Sequence, residues 1–292
     1  MRRLIINADD LGLTTGVNRA IEQAHTAGLV TSSTLMANSA AFEDAVAISR
    51  RNPKLSIGCH VTLADGAPLL RADQVPTLLD GDRFPVSFVS FAQRALRGCI
   101  RSAEVTAEAV AQIRKLQAAG VAVSHVDTHK HLHMFRAVLE PLLAAARECG
   151  VRAIRNPFAP VKPLAFAHLL RRPRLWTRYS EVKLLAPLQA GFAQKVRAAG
   201  LLTTDGSFGV VSTGALDRKL FAAIVGCIPE GTWEFVCHPG YNDAELASIK
   251  TRLRASRVKE LEVLTSPEAR KILEQRGIEM ISFRDLALGA QG

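Results

Sequence analysis

The sequence predicts a parallel α/β fold: a distorted (βα) barrel, TIM-barrel-like, with residues 1–292 forming one domain. Three observations predict it. Short apolar runs of strand length alternate with helical periodicity from one end of the chain to the other. A chain of 292 residues, 48% apolar and 22% charged, can bury one large core and is of ordinary size for such a barrel. Acids and histidines recur at the carboxyl ends of the predicted strands, where parallel α/β folds carry their sites.

RLIINA at residues 3–8 is short and apolar enough for a buried strand, and Asp9 and Asp10 follow at its carboxyl end. A turn with the N-cap among Thr14, Thr15 and Gly16 leads to a helical stripe through Val17, Ala20, Ile21 and Ala24, stopped by Gly28. LVTSSTLMANS is a second strand, AAFEDAVAISRR a helix with its stripe at Phe42, Ala45, Val46 and Ile48, and LSIGCHVTL a third strand delivering His60 near its end. Residues 64–101 are irregular and rich in turn signals, as in a loop that roofs a cleft. A helix over 103–119 precedes the strand VAVSHVDTH; 134–149 is helical again and stops at Gly150. VRAIRNPF is a strand that sends out Arg155, either as a surface charge or to steer a carboxylate.

Residues 157–187 break this rhythm. It resumes with a helix over 188–199, a short strand at 201–203, a helix over 214–225 and the strand TWEFVCHPGY, which ends at His238. Helical sequence then covers much of 243–276, and IEMISF supplies a last strand.

The stretch Ser124–Phe135, SHVDTHKHLHMF, holds four of the eight histidines within nine residues. His125, Asp127, His129, His131 and His133 share one parity, so a strand there presents them on a single face. With every parallel strand delivering its carboxyl end to the same side, Asp9, Asp10, His60, this cluster, Arg155 and His238 converge. Two histidines and a carboxylate around a divalent cation, with positions left open, is a catalytic arrangement. Such a cation activates water and polarises a carbonyl, while a spare carboxylate and another His move protons.

Composition narrows the partners. Net charge is +10, but residues 161–200 alone carry eight basic side chains and one acid, so the excess is a local patch; this argues against general nucleic-acid binding. The patch, RRPRLWTR with Trp176 and Tyr179, suits contact with a membrane surface or an amphipathic substrate. It reads as a basic amphipathic insertion at about 157–200. Five cysteines without a C-x-x-C pair fit reduced thiols, and neither a signal peptide nor a spanning segment is evident. The expectation is a cytoplasmic protein, with peripheral contact at the inner membrane through the insertion. Oligomeric state is left open, a homodimer included.

NADDLG, IGCHVTL, SHVDTHKHLHMF and VCHPGY, in that order, together resemble the YdjC-like carbohydrate deacetylases, the group that includes chitooligosaccharide deacetylase. The resemblance runs from Arg3 to about Leu288 and is weakest between 157 and 206. It implies a metal-dependent distorted barrel that removes acetyl groups from N-acetylated sugars. Carried over by position, Asp10, His60 and His129 are the implied ligands of one divalent ion (Mg2+ or Zn2+), Asp9 the general base, with the two Asp roles exchangeable, and His238 the acid for the leaving amine. Arg155 joins the catalytic set as similar in type to the arginine that positions the base in the wider polysaccharide deacetylase group. His125, Asp127, His131 and His133 become groups that orient the ligands. The chain looks closest to the hopanoid-biosynthesis-associated branch, whose implied substrate is an N-acetylglucosaminyl hopanoid. Soluble chitooligosaccharides or another sugar amide or ester are the alternative, and a silent lipid- or nucleic-acid-binding protein is the third.

Overall fold

The computed structural model describes residues 1–160, 175–176 and 186–288. Its centre is β1 (Arg2–Leu11), buried at every position from Leu4 onward. One edge of β1 pairs with β7 (Gly231–Cys237) from Arg2 to Ala8. The other edge is shared, β8 (Ile278–Ile281) taking Arg2–Ile5 and β2 (Ser32–Leu35) taking Asn7–Leu11. Beyond β2 lie β3 (Ser56–Val61), β4 (His125–Thr128) and the two-residue β5 (Ala153–Ile154); beyond β7 lies β6 (Gly206–Phe208). All pairings are parallel, so the carboxyl ends of these strands share one side.

Helices separate the strands: α1 (Thr15–Thr26), α2 (Phe42–Arg51), α3 (Phe88–Leu96), α4 (Ser102–Ala118), α5 (Arg136–Glu148), α6 (Gln189–Ala198), α7 (Arg218–Gly226), α8 (Ala244–Ser248), α9 (Ala255–Leu264), α10 (Pro267–Gln275) and α11 (Phe283–Leu288). Parallel neighbours require such crossovers. Thr14 caps α1 as its sequence predicts, accepting the amide of Val17 at 3.0 Å.

The seven strands from β5 to β6 curl into a half-barrel, consistent with the expected distorted barrel but not fully closed. Among the described residues no strand ladder joins β5 to β6. The edges approach through a single parallel bridge between Ala153 and Leu202, and through the Ser207 amide donating to the Phe158 carbonyl at 2.9 Å. Thus the strand expected at 201–203 is one bridge, while β6, built from Gly, Ser and Phe, carries little strand signal and was not anticipated.

Residues 64–101 meet the turn after β4 through Asp65 and the Val86 carbonyl, both held by Lys130, and they contain α3 and two short 3-10 turns, Ala72–Gln74 and Pro76–Leu78. A polar stripe on α4 holds them down. Glu104 accepts from the Thr77 amide (2.7 Å), Glu108 from the amides of Leu69 (2.9 Å) and Leu70 (3.1 Å), and Gln112 exchanges bonds with the Thr62 backbone. All three side chains are buried, each satisfied by loop backbone, as burial of polar groups demands.

The expected insertion falls largely outside the described residues, including Arg171, Arg172, Arg174 and Tyr179. Trp176 is described and about half exposed. Among the described residues no helix is long and apolar enough to cross a membrane.

Candidate functional site

On a regular strand, adjacent side chains point to opposite faces. Asp9 and Asp10 escape that rule because the pairing of β1 with β2 shifts register between Ala8 and Leu11, and Asp10 takes a positive φ of 68°. The bulge re-aims one side chain, so both carboxylates approach His60. Among the described residues, the non-glycine positions with positive φ are Asp10, Asp65, Lys130 and His131. Three of the four side chains belong to one contact network, and the fourth lies in the same turn as Lys130. Clustered strain of this kind marks a functional region.

His60, at the end of β3, is buried. Its Nδ1 lies 2.7 Å from Asp127 Oδ1 and 3.2 Å from Thr34 Oγ1. Its Nε2 lies 3.3 Å from His129 Nδ1 and 3.6 Å from Asp10 Oδ1, and His129 Nδ1 is 3.4 Å from the same oxygen. Burial alone would lower the His60 pKa, but Asp127, with help from Asp9 and Asp10, pushes it up to about 9. On its far side His129 Nε2 is 3.9 Å from Asp65, which is ion-paired with Lys130; Lys130 also donates to the Val86 carbonyl at 2.7 Å. The loop above the site is thereby tied to the turn carrying His129.

Arg155 is wholly buried, so the surface-charge alternative is excluded. Its guanidinium donates to both oxygens of Asp9, at 2.6 and 2.8 Å, and to Glu234 at 2.8 Å, and is paired with Asp127. Asp9 also accepts from Asn7 (2.9 Å) and Thr34 (3.2 Å). Burial would raise the Asp9 pKa, yet Arg155 and then His60 hold it well below the usual carboxylate range. Glu234, in contrast, is pushed up to about 7 by burial, against the pull of Arg155.

His238 follows β7 and sets Nε2 3.8 Å from Asp9 Oδ2; burial lowers its pKa. Its amide donates to Glu260 at 2.6 Å. Asp10 Oδ2 accepts from Arg257 at 2.5 Å, and despite burial its carboxyl is held well below the normal range, by Arg257 first and His129 next.

The histidine-rich stretch behaves differently from its parity. Only His125–Thr128 is strand; His129–Met134 is a tight 3-10 turn with left-handed φ at Lys130 and His131. Of the residues expected to orient ligands, Asp127 is the one hydrogen-bonded to a ligand among the described residues. His125 stacks on Phe283 with ring centres 3.7 Å apart, and His133 bonds Thr128 Oγ1 at 2.7 Å. His131 Nδ1 is buried without a hydrogen-bond partner among the described residues, and burial pushes its pKa down to about 3.

Ligand atoms of Asp10, His60 and His129 lie within 4.8 Å of one another, as do those of Asp9, His60 and Asp127. The first set fits a cation. Among the described residues Asp10 Oδ1 is buried with no hydrogen-bond partner, and Asp127 engages His60 Nδ1, which leaves Nε2 toward Asp10 and His129. The second set does not, because Arg155 already fills the space between Asp9 and Asp127. Carboxylate and imidazole donors admit several divalent metals.

The model of the YdjC-like protein family matches residues 3–275. The chain belongs to this family. Among its relatives, a carbohydrate deacetylase of Brevibacillus brevis is 31% identical, with 97% of this chain and 99% of the relative covered. One from Listeria welshimeri is 32% identical, covering 97% and 100%. A solved Enterococcus faecalis structure, provisionally described as a cellobiose-phosphate cleavage protein, superposes with a TM-score of 0.77 at 28% identity, covering 98% of both chains.

Within this YdjC-like chain, all six predicted site residues Asp9, Asp10, His60, His129, Arg155 and His238 meet in one network. Sequence reasoning missed Asp65, Glu234, Arg257 and Glu260. Glu234 carried a readable signal, an acid inside the apolar run TWEFVC. Arg257 and Glu260 sit on a helix of weak apolar periodicity, where charge reads as solvent-facing.

Proposed function

We propose that this chain is a metal-dependent N-deacetylase that hydrolyses the acetamide of an N-acetylglucosamine unit, giving acetate and a free amine. The observation that carries the reading is the convergence of Asp10 Oδ1, His60 Nε2 and His129 Nδ1, with Asp9 and His238 facing each other beside it. The curated relatives named carbohydrate deacetylases support the substrate class.

Asp10, His60 and His129 would hold the divalent ion, which supplies Lewis acidity toward water and the amide carbonyl. Asp9 accepts the proton of the attacking water as general base. Arg155 keeps its carboxylate ionised and oriented. His238 donates a proton to the departing amine nitrogen, as acid catalysis of C–N cleavage requires. Asp127 holds His60 in the tautomer that turns Nε2 to the ligand set.

The finer reading is that the sugar is carried on a hopanoid lipid and that the protein meets it at the inner membrane surface. Its support is the sequence likeness to the hopanoid-associated branch and the basic, Trp-containing segment 161–200. Val86, whose carbonyl accepts from Lys130 beside the site, is exposed and suits an apolar carrier. The test is acetate release from an N-acetylglucosaminyl hopanoid beside chitobiose. Release from the lipid alone supports the finer reading, and release from chitobiose alone moves the substrate to soluble sugars.

A further inference from the structure

The two neighbouring aspartates are gripped by different arginines. Asp9 has both oxygens engaged by Arg155, with Asn7 and Thr34 adding to one of them. Asp10 has Oδ2 engaged by Arg257 at 2.5 Å, while Oδ1 is buried with no hydrogen-bond partner among the described residues and faces His60 and His129. Arg257 comes from α9, is 1% exposed, and is braced by its Nε donating to the Leu253 carbonyl at 3.1 Å. A buried guanidinium is costly unless paired, so its burial beside Asp10 calls for a role.

Gly240, in the HPGY turn after β7, points to the same role. A Cβ there would lie 2.7 Å from Arg257 Cδ and 3.2 Å from its Cβ, so the glycine leaves the channel through which the Arg257 stem passes. The Gly240 amide faces the Arg257 carbonyl at 3.3 Å, and Glu260, from the same helix, accepts the His238 amide. Thus α9 is locked to the turn that delivers His238 and, through Arg257, to Asp10.

We propose that Arg257 is a positioning residue that holds Asp10 by one oxygen, so that the other is presented to the cation site, and thereby distinguishes ligand Asp10 from base Asp9. The inference rests on the deacetylase reading for its catalytic part, but its metal-binding part stands apart from the reaction. The sign of the effect separates positioning from mere counter-charge. A cation next to a metal ligand repels the incoming ion, so removal of a simple counter-charge strengthens metal binding. Removal of a positioning group weakens it.

The experiment titrates Zn2+ into the metal-stripped full chain by calorimetry and measures acetate release on the restored enzyme, for wild type, Arg257→Gln, Arg257→Lys and Gly240→Ala. The expected result is Zn2+ affinity lowered about 10–100-fold in Arg257→Gln, as for other groups that orient metal ligands. A parallel loss in kcat with little change in KM, partial recovery in Arg257→Lys, and a loss of the same direction in Gly240→Ala are also expected. Circular dichroism checks folding; if Arg257→Gln fails to fold, Gly240→Ala and Arg257→Lys decide. Unchanged or tighter Zn2+ binding in the folded variants overturns the inference. Wild type that binds Zn2+ yet releases no acetate overturns the deacetylase reading, and the affinity ratio then decides for Arg257 alone.

Discussion

His60 Nδ1 lies 2.7 Å from Asp127 Oδ1, and this contact decides which ring nitrogen is turned to Asp10 and His129. Asp127 in turn is paired with Arg155, which also grips Asp9. The ligand set and the candidate base therefore share one buried charge network, in which moving one member moves the others.

Asp127→Asn tests that coupling with almost no change of shape. A neutral amide no longer stabilises a proton on Nδ1, so divalent-ion affinity should fall about 10–100-fold. Calorimetric titration of the folded variant is the check, and wild-type affinity would remove Asp127 from the account.

Asp9→Asn and Asp10→Asn should separate. The first should keep metal binding and lose about 10²–10⁴ in kcat, the range for a general base. The second should lose the metal itself. Metal analysis beside initial rates reads both, and the reverse pattern would exchange the two roles.

Much of this was legible in the sequence. The apolar runs form the strands, and the Asp pair, His60, the SHVDTH segment and His238 lie at or next to strand ends, which a parallel sheet brings together. What was not legible depended on tertiary context. Parity predicted one face for His125 through His133, but β4 ends at Thr128 and a left-handed turn aims the remainder. Helical periodicity over 103–119 carries no sign that the glutamates of α4 pair with backbone of a loop far away in sequence. The edges of the half-barrel are β5 and β6, of two and three residues, too short for any periodicity to register.

Gly58→Ala should destabilise the fold. A Cβ on Gly58 would lie 2.5 Å from the His125 ring, which is itself stacked on Phe283 and cannot retreat freely. Overpacking of this kind costs about 1–3 kcal/mol. Urea denaturation gives the value, and a midpoint equal to wild type would show that the ring does move.

Glu234 gives a pH signature. Burial pushes its carboxyl up to about 7, against an ordinary value of 4.5, although Arg155 opposes the shift. Between those values the folded chain keeps a proton that the unfolded chain has released, so this group makes stability fall as pH rises through the window. Glu234→Gln removes that contribution. The variant should therefore lose less stability than wild type between about pH 5 and 7 in denaturation curves, and parallel curves would contradict the assignment.

The central claim is that Asp10, His60 and His129 hold a divalent ion required for amide hydrolysis. The most direct measurement is acetate release from an N-acetylglucosamine-bearing substrate by the metal-stripped chain, the same chain after metal is restored, and His60→Ala and His129→Ala with metal present. The account predicts acetate and free amine in equal amounts from the restored wild-type chain alone. Equal turnover by the stripped chain, or by either histidine variant, would contradict it.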